Sequence, residues 1–302
     1  MLERLLKTKM NNVKKFLTQN EKVSIVCANT TELVEKLRNI HDLTPVTTAA
    51  LGRFATIAGI MGFTDIKEES DNITLQIRGG GPAGALVGCV RRNENVSKIK
   101  CYIENPHIDL PLKENGKLDV GGAVGKYGFL NIIKKNSSVQ DSYNGLVPLI
   151  SGEIAEDFTE YFAKSEQKPT VLALGVLVNQ SGVKASGGYI INLMPDATEE
   201  DIVKIENALE KAPSISQMLA DNKSLEEIAK IVSGDEVKLL EEDLNIEFEC
   251  DCNKEKFEKG LISLGKKELN KMIEEDGKAD VSCHFCNKIY HFTKENLEKL
   301  LN

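Results

Sequence analysis

The sequence predicts an α+β fold in three parts: an N-terminal domain of mixed sheet and helices at 1–195, an acidic helical linker at 196–244, and a small C-terminal α+β domain at 245–302. Three observations support this. The strand-like segments of the first part come in hairpins, acidic residues accumulate after 195, and four closely grouped cysteines mark the last part. A chain of 302 residues is long enough for two domains.

The first part combines two hydrophobic periods. Runs with a period of two predict strands, and runs with a period near 3.6 predict helices. Strands are predicted at 23–29, 71–81 (running into a glycine turn), 84–92, 96–104, 170–178 and 183–194. Helices are predicted at 30–40, 46–61 and 151–167, the last with Ser151 as its N-cap. Because "NEN" and "NQSG" join consecutive strands as hairpins, a doubly wound parallel sheet is not expected.

The linker is defined by its charge. The segment from Asp196 to Glu249 carries 16 acidic residues against five lysines, whereas the whole chain has a net charge of −8. It keeps a helical pattern, because Thr198 begins one segment and Ser224 with Glu227 forms a capping box before another. It is either a pair of solvated surface helices or a connector that is helical while docked and able to unfold. Clustered like charges support the second interpretation, because they repel one another when helices pack.

The last part is a small folding unit. Asn253 is the predicted N-cap of a helix that Gly265 ends, and a second helix ends at Gly277. Strand material follows at 279–292, and a final helix at 293–302. Fewer than 60 residues build too small a core to be secure alone, so a bound metal would supply the missing stability.

Two pairs of cysteines carry the chemistry of this unit. Cys250 and Cys252 fall on one face of an extended segment, whose period is two, and Cys283 and Cys286 have the two-residue gap of a zinc knuckle. Two such pairs, with 30 residues between them, match a closed tetrahedral site in which four thiolates hold Zn²⁺. We therefore predict one Zn²⁺ bound by these four cysteines. His284 and His291 are alternative ligands, but four thiols already fill the site.

A purely structural zinc is the plain interpretation of such a site, and two features weaken it. First, four carboxylates flank the ligands, and they should ease metal loss because a centre of four thiolates is already negatively charged. These acidic residues are Glu247, Glu249, Asp251 and Asp280. Second, each pair can close on itself as a disulfide, Cys250–Cys252 and Cys283–Cys286, which would remove all four ligands.

Other function classes fit the sequence less well. A thiol–disulfide oxidoreductase would use Cys283 and Cys286, but no βαβ pattern surrounds them. A zinc-containing nucleic-acid binder would need lysines, arginines and aromatic residues around the knuckle, where acidic residues stand instead. The glycine-rich stretches at 78–88 and 116–128 match no phosphate-binding loop. The thiol–disulfide oxidoreductase and the zinc-containing nucleic-acid binder remain the alternatives. The sequence favours neither, so we do not expect the protein to be an enzyme.

Composition and termini bound the cellular setting. The acidic balance argues against a broad nucleic-acid surface, and no stretch predicts a membrane span. The N-terminal segment, 1–17, lacks the apolar run of a secretory signal. We therefore expect a cytoplasmic protein whose thiols are kept reduced. Cys27, Cys89 and Cys101 lie outside the paired set and are expected to be inert core residues.

The chain resembles the redox-regulated chaperone family called heat shock protein 33, and the similarity spans nearly its whole length. The matching segments are "GKLDVGGAVG" (116–125), "GLVPLISGEIAEDFTEYFAKSEQKPT" (145–170), "LGVLV" (174–178), "GGYIINLMP" (187–195), "FECDC" (248–252) and "LNKMIEEDGKADVSCHFCNKIYHF" (269–292). The C-x-C and C-x-x-C pairs at this spacing are distinctive.

The resemblance implies an ATP-independent holdase that is inactive while reduced and zinc-bound. It implies that oxidants, together with unfolding conditions, convert Cys250, Cys252, Cys283 and Cys286 to disulfides and release the zinc. The small redox-switch domain and the acidic linker would then unfold and expose apolar surface that binds unfolding client proteins. Dimerisation would accompany this activation. The apolar linker residues are candidate client contacts or merely dock the linker. They are Ile202, Ile205, Leu209, Leu225, Ile228 and Ile231.

Overall fold

The computed structural model describes residues 12–137 and 142–301, and the chain divides into two units after Phe248. The predicted linker, 196–244, lies within the first unit. The prediction that residues 1–17 are not a secretory signal falls mostly on residues outside the described ranges.

The first unit contains ten described strands and seven described helices. The strands are β1 (Asn12–Thr18), β2 (Val23–Asn29), β3 (Asn72–Arg78), β4 (Ala85–Asn93), β5 (Val96–Ile103), β6 (Phe129–Lys135), β7 (Ser142–Pro148), β8 (Thr170–Asn179), β9 (Gly182–Leu193) and β10 (Val237–Phe248). The helices are α1 (Thr31–His41), α2 (Pro45–Thr64), α3 (Val120–Val124), α4 (Ala155–Lys164), α5 (Glu199–Lys211), α6 (Ile215–Ala220) and α7 (Leu225–Ser233).

All ten strands belong to one sheet, in the order β7-β6-β3-β4-β5-β10-β1-β2-β9-β8. Strand β10 stands at its centre and changes partner along its length. Its first part pairs antiparallel with β1, and its last four residues pair parallel with β5. The strand therefore joins a half-sheet of β3–β7 to a half-sheet of β1, β2, β8 and β9.

Helix α2 forms the centre of the main core. It begins with Pro45 at its first turn and contacts β4 and β5 in one half-sheet and β8 and β9 in the other. Within the described residues it is the one helix long and apolar enough to cross a membrane, but 89% of that apolar window is buried inside the protein. Such burial is what a core helix shows.

Helices α5, α6 and α7 cover a second apolar surface. They pack on side chains of β1, β2 and β9 that point away from the main core, including Phe16, Ile25 and Ile191. Thr198 begins α5 as predicted, and Ser224 with Glu227 forms the predicted capping box at the start of α7. Most acidic residues of these helices thereby lie on the outer face, except Asp201, which is buried at the start of α5 and accepts hydrogen bonds from Thr198.

The second unit is built around a short hairpin. Its elements are α8 (Lys254–Ser263), α9 (Lys266–Glu275), β11 (Lys278–Ser282), β12 (Ile289–Thr293) and α10 (Lys294–Lys299). Among the described residues of this unit, six side chains form its buried apolar cluster, which is a small core.

The predicted α+β class is confirmed, and so are the hairpins β4–β5 and β8–β9. Asn253 caps α8 as predicted, accepting a hydrogen bond from the amide of Lys256 at 2.9 Å. The linker differs from the prediction in one element, since it ends in strand β10 and is not helical throughout. Only the last part of that strand alternates in burial, at Leu244 and Ile246, so its sequence carries little strand signal.

The N-cap predicted at Ser151 is wrong, because α4 begins four residues later, at Ala155. The buried carboxylate of Asp157 accepts hydrogen bonds from the amides of Ile150 at 2.7 Å and Ile154 at 2.9 Å. Ile154 itself has a φ of 77°, which L-residues rarely adopt. The carboxylate thus organises a turn that occupies the residues expected to form the first helical turn.

Candidate metal centre

The first cysteine pair lies on an extended segment that follows β10. Cys250 and Cys252 alternate with Asp251, and Asn253 directly after them begins α8. The side-chain cap of Asn253 fixes where the extended backbone ends and the helix starts. Alternation of an extended chain then places both thiols on the same side.

The second pair lies in the turn of the β11–β12 hairpin. The Cys283 amide donates to the carbonyl of Lys288 at 2.9 Å, which closes the hairpin. The amides of Cys286 and Asn287 both donate back to the carbonyl of Cys283, at 3.3 and 2.8 Å. Asn287 has a φ of 57°, the left-handed conformation that asparagine tolerates well. This tight turn brings the two thiols of the pair together.

The four sulfur atoms form one cluster. All four Sγ atoms lie within 4.8 Å of one another, and the Cys250–Cys283 and Cys252–Cys286 separations are 3.7 and 3.4 Å. A tetrahedral zinc site with Zn–S bonds of about 2.3 Å separates its sulfurs by about 3.8 Å. Both the donor set and its spacing therefore fit a metal ion bound by four thiolates.

The histidines do not join the cluster. Among the described residues, the group whose ligand atoms come this close consists of the four cysteines alone. The Nδ1 atom of His291 lies 2.6 Å from Oδ1 of Asp280, and His284 is exposed. The hairpin setting also differs from the βαβ unit of thiol oxidoreductases, which disfavours that alternative.

Tyr290 is a residue of the site that the sequence did not reveal. Its hydroxyl donates to the carbonyl oxygen of Cys252 at 2.9 Å and contacts the Cys252 sulfur at 3.2 Å. Its ring packs against Phe257, with 4.8 Å between the ring centroids. The alternation of β12 predicts that Tyr290 and Phe292 share an inner face, but it cannot reveal a hydrogen bond to a cysteine 38 residues away in sequence.

The thiols of the cluster do not share one acidity. Burial raises the pKa of Cys250 and that of Cys286. Burial alone would also raise the pKa of Cys252, but hydrogen bonds from Tyr290 and from neighbouring thiols outweigh it and lower that pKa below its ordinary value. The same hydrogen bond raises the pKa of Tyr290 to about 12. Metal binding must therefore displace protons that Cys250 and Cys286 otherwise hold firmly, whereas Cys252 gives up its proton more readily.

Two of the flanking carboxylates have side-chain partners. Asp251 forms an ion pair with Lys256 at 2.6 Å, and Asp280 is bonded to His291. Lys256 offsets part of the negative charge that Asp251 brings to the thiols. The destabilising effect of these acidic residues on a bound metal should therefore be smaller than their number in the sequence indicates.

The other cysteines lie in strands of the first unit. Cys27 in β2 and Cys101 in β5 are fully buried, and burial raises the pKa of both thiols. Cys89 in β4 is half-buried, with its sulfur 3.9 Å from the hydroxyl of Thr74. Protonated, buried thiols react slowly, which supports the expectation that Cys27 and Cys101 are inert.

Known proteins resemble this chain along nearly all of its length. A protein-family profile described as "Hsp33 protein" matches residues 11–293. The "33 kDa chaperonin" of Clostridioides difficile is 45% identical over 283 residues, which cover 93% of this chain and 95% of that protein. The protein of the same name from Alkaliphilus metalliredigens is 42% identical, with 94% and 96% covered.

A solved structure shows the same fold. The crystal structure of the 33 kDa chaperonin, or heat shock protein 33 homolog, from Thermotoga maritima superposes with a TM-score of 0.86. It is 34% identical in sequence, and the match covers 96% of this chain and 97% of the other.

Proposed function

This chain belongs to the Hsp33 family of chaperones, and from that premise we propose that it is an ATP-independent holdase controlled by the redox state of four cysteines. Membership confirms the predicted family and the expectation that the protein is not an enzyme. The observation that carries the proposal is the cluster of Cys250, Cys252, Cys283 and Cys286 in a unit whose own core is small.

In the reduced state the four thiolates would hold one Zn²⁺. The ion, when bound, supplies a cross-link between the segment before α8 and the β11–β12 hairpin. Six buried apolar side chains provide little stability beyond what ordering some 50 residues costs, so the cross-link would decide whether this unit is folded. The protein's own contribution is to hold the sulfurs at tetrahedral spacing and to keep Tyr290 bonded to Cys252.

Oxidation would remove the ligands in pairs. When two thiolates form a disulfide, they give up two electrons to a peroxide, and with two protons the peroxide becomes two molecules of water. We propose the pairs Cys250–Cys252 and Cys283–Cys286, because once the metal is lost thiols near in sequence meet most often. The shortest sulfur contacts in the folded cluster instead join one pair to the other, so peptide mapping of the oxidised protein must decide the pairing.

Unfolding of the linker would expose an apolar surface for clients. Ile205, Leu225 and Ile228 are buried in the second apolar cluster, formed with β1, β2 and β9, while Leu209 and Ile231 are half-buried at its edge. These residues therefore dock the linker in the folded state. Once it leaves, both the linker residues and the sheet face under them would be available to an unfolding protein, and a homodimer is expected to form in the cytoplasm.

The proposal is tested by comparing reduced and peroxide-treated protein. We expect the oxidised protein to suppress aggregation of a heat-unfolded client, with release of one zinc ion per chain followed by a chromogenic chelator. The reduced protein should leave aggregation unchanged and retain its zinc. Equal activity in both states with zinc retained would contradict the redox switch.

A further inference from the structure

Strand β10 joins two half-sheets that are otherwise not adjacent. It pairs antiparallel with β1 from Thr18↔Val237 to Val13↔Leu244, and parallel with β5 from Asn245↔Val96 to Phe248↔Ile99. Although it lies at the centre of the sheet, it belongs to the end of the segment that the proposed mechanism unfolds. Its departure would leave two neighbouring strands with unpaired backbone groups.

The first part of β10 is weakly held. Its pairing with β1 is interrupted by two register shifts, and Asp243 has a φ of 62°. Leu239 and Leu240 are both more than 40% exposed. The ion pairs Lys15–Glu241 and Lys14–Glu242, at 3.2 and 3.7 Å, are exposed and contribute little. Few buried contacts and an irregular ladder mark a segment that opens easily.

The last part of β10 fits a shaped channel. Leu244 and Ile246 alternate into the main core and are almost completely buried. Ile246 lies over Gly59 of α2, where a Cβ atom would stand only 2.6 Å from Cγ2 of Ile246. The channel therefore selects an extended segment with apolar residues at alternate positions.

The channel does not depend on β10 for its walls. Helix α2 contacts β4 and β5 on one side and β8 and β9 on the other, so it links the two half-sheets directly. A single buried core also contains residues of both, such as Val13 and Ile99. Removal of β10 would thus leave a slot between β1 and β5 with a preformed apolar floor.

We propose that this slot, once vacated, accepts an extended segment of a non-native client polypeptide in the place of β10. The inference rests on the proposed function and assigns it a binding mode, namely strand addition to two open sheet edges. The favoured segment carries two apolar residues at alternate positions, as β10 does at Leu244 and Ile246. Carboxylates preceding them would meet Lys14 and Lys15 of β1.

A peptide copy of β10 tests the proposal. The fluorescently labelled sequence of residues 237–248 contains no cysteine, so it cannot be captured as a mixed disulfide. We expect it to bind the oxidised full-length protein, not the reduced one, and to compete with a heat-unfolded client. The same peptide with Asn245→Pro should bind about tenfold more weakly or worse, because the Asn245 amide donates to the carbonyl of Asn95 at 2.9 Å when β10 is in place and proline removes that donor. A peptide with Glu241→Lys and Glu242→Lys should bind more weakly at low salt.

The outcomes separate this inference from the proposed function. If the oxidised protein suppresses aggregation but does not bind the parent peptide, or binds the parent and the Asn245→Pro peptides equally, the slot is not a strand-accepting site and the holdase stands. If oxidation produces no suppression of aggregation, the proposed function fails first. Cross-links between Lys15 and Glu241 of differently labelled copies would show that a second copy fills the slot, and would overturn the assignment to clients.

Discussion

The two units of this protein are stabilised by different means. The first unit buries a continuous apolar core around α2, with side chains contributed by both half-sheets. The second has six buried apolar side chains and four clustered sulfurs. Burial of apolar area does not respond to oxidants, whereas a cross-link through thiolates does. If the proposed function holds, one chain combines a part whose fold does not depend on thiol chemistry with a part whose fold does.

The linker is intermediate between the two. Its helices α5–α7 bury a second apolar cluster against β1, β2 and β9, but they lie in the segment 196–249, which carries 16 acidic residues against five lysines. Their docking should therefore be favourable by a small margin, which a change in the neighbouring unit can reverse. Four substitutions test whether the two units are stabilised independently and by different means.

The largest effect is expected from Cys283→Ser. Loss of one thiolate should abolish tight zinc binding, which in small zinc domains is worth on the order of 10 kcal/mol and is coupled to folding. Hydrogen exchange measured by mass spectrometry should then show fast exchange throughout 249–301, with slow exchange retained in α2. Cys89→Ser, outside the cluster, is the matched control and should leave both regions protected. Slow hydrogen exchange in the second unit without bound zinc would contradict the claim that this unit needs the metal to fold.

Leu51→Ala should act on the first unit alone. Leu51 is fully buried in α2, and truncation of such a side chain costs about 2–5 kcal/mol. We expect a lower midpoint of thermal unfolding monitored by circular dichroism, with zinc content unchanged at one per chain. A loss of zinc at temperatures where the first unit stays folded would show that the two units are not independently stabilised.

Tyr290→Phe should weaken the metal centre without removing a ligand. The change deletes the hydroxyl that bonds the Cys252 sulfur and carbonyl, and loss of such supporting hydrogen bonds typically lowers metal affinity about tenfold. Competition with a chelator of known affinity measures this. Phe257→Leu disturbs the ring packing and leaves the hydrogen bonds, so it should lower thermal stability with little effect on zinc affinity. Equal zinc affinity in the Tyr290 variant and the parent would contradict this role.

The smallest effect is expected from Asp251→Asn. Removing the carboxylate should slow zinc loss under oxidant, but by less than about threefold because Lys256 already offsets the charge in an exposed pair. Lys256→Met should act in the opposite direction and speed the loss. Both rates are measured as zinc release in peroxide. If neither variant differs from the parent, the flanking charges do not control zinc loss.

Sequence reasoning succeeded where the determinants are local. The caps at Thr198, Ser224 and Asn253, and the hairpin turns, depend on residues within four positions of one another. The grouping of the C-x-C pair with the C-x-x-C pair could also be predicted, because their spacing restricts the kind of site that four thiols can form.

Sequence reasoning failed where the conformation of a segment depends on residues far away in sequence. Strand β10 owes its conformation to β1, which lies more than 200 positions earlier in the chain, and its exposed first part shows no alternation. The late start of α4 depends on four amides converging on the buried Asp157, which local helix signals do not encode. Tyr290 looked like an ordinary inner-face residue of β12, because its hydrogen-bonding partner comes from another segment.

Gly59 has a consequence for how the response to oxidants can vary among related proteins. The absence of a side chain there lets Ile246 sit directly on the helix, and one added methyl group would collide with it. An alanine at this position would loosen β10 while leaving every cysteine in place. Under the proposed mechanism, the sensitivity to oxidants can therefore be tuned from inside the core, by the size of a single residue, independently of the cysteine chemistry.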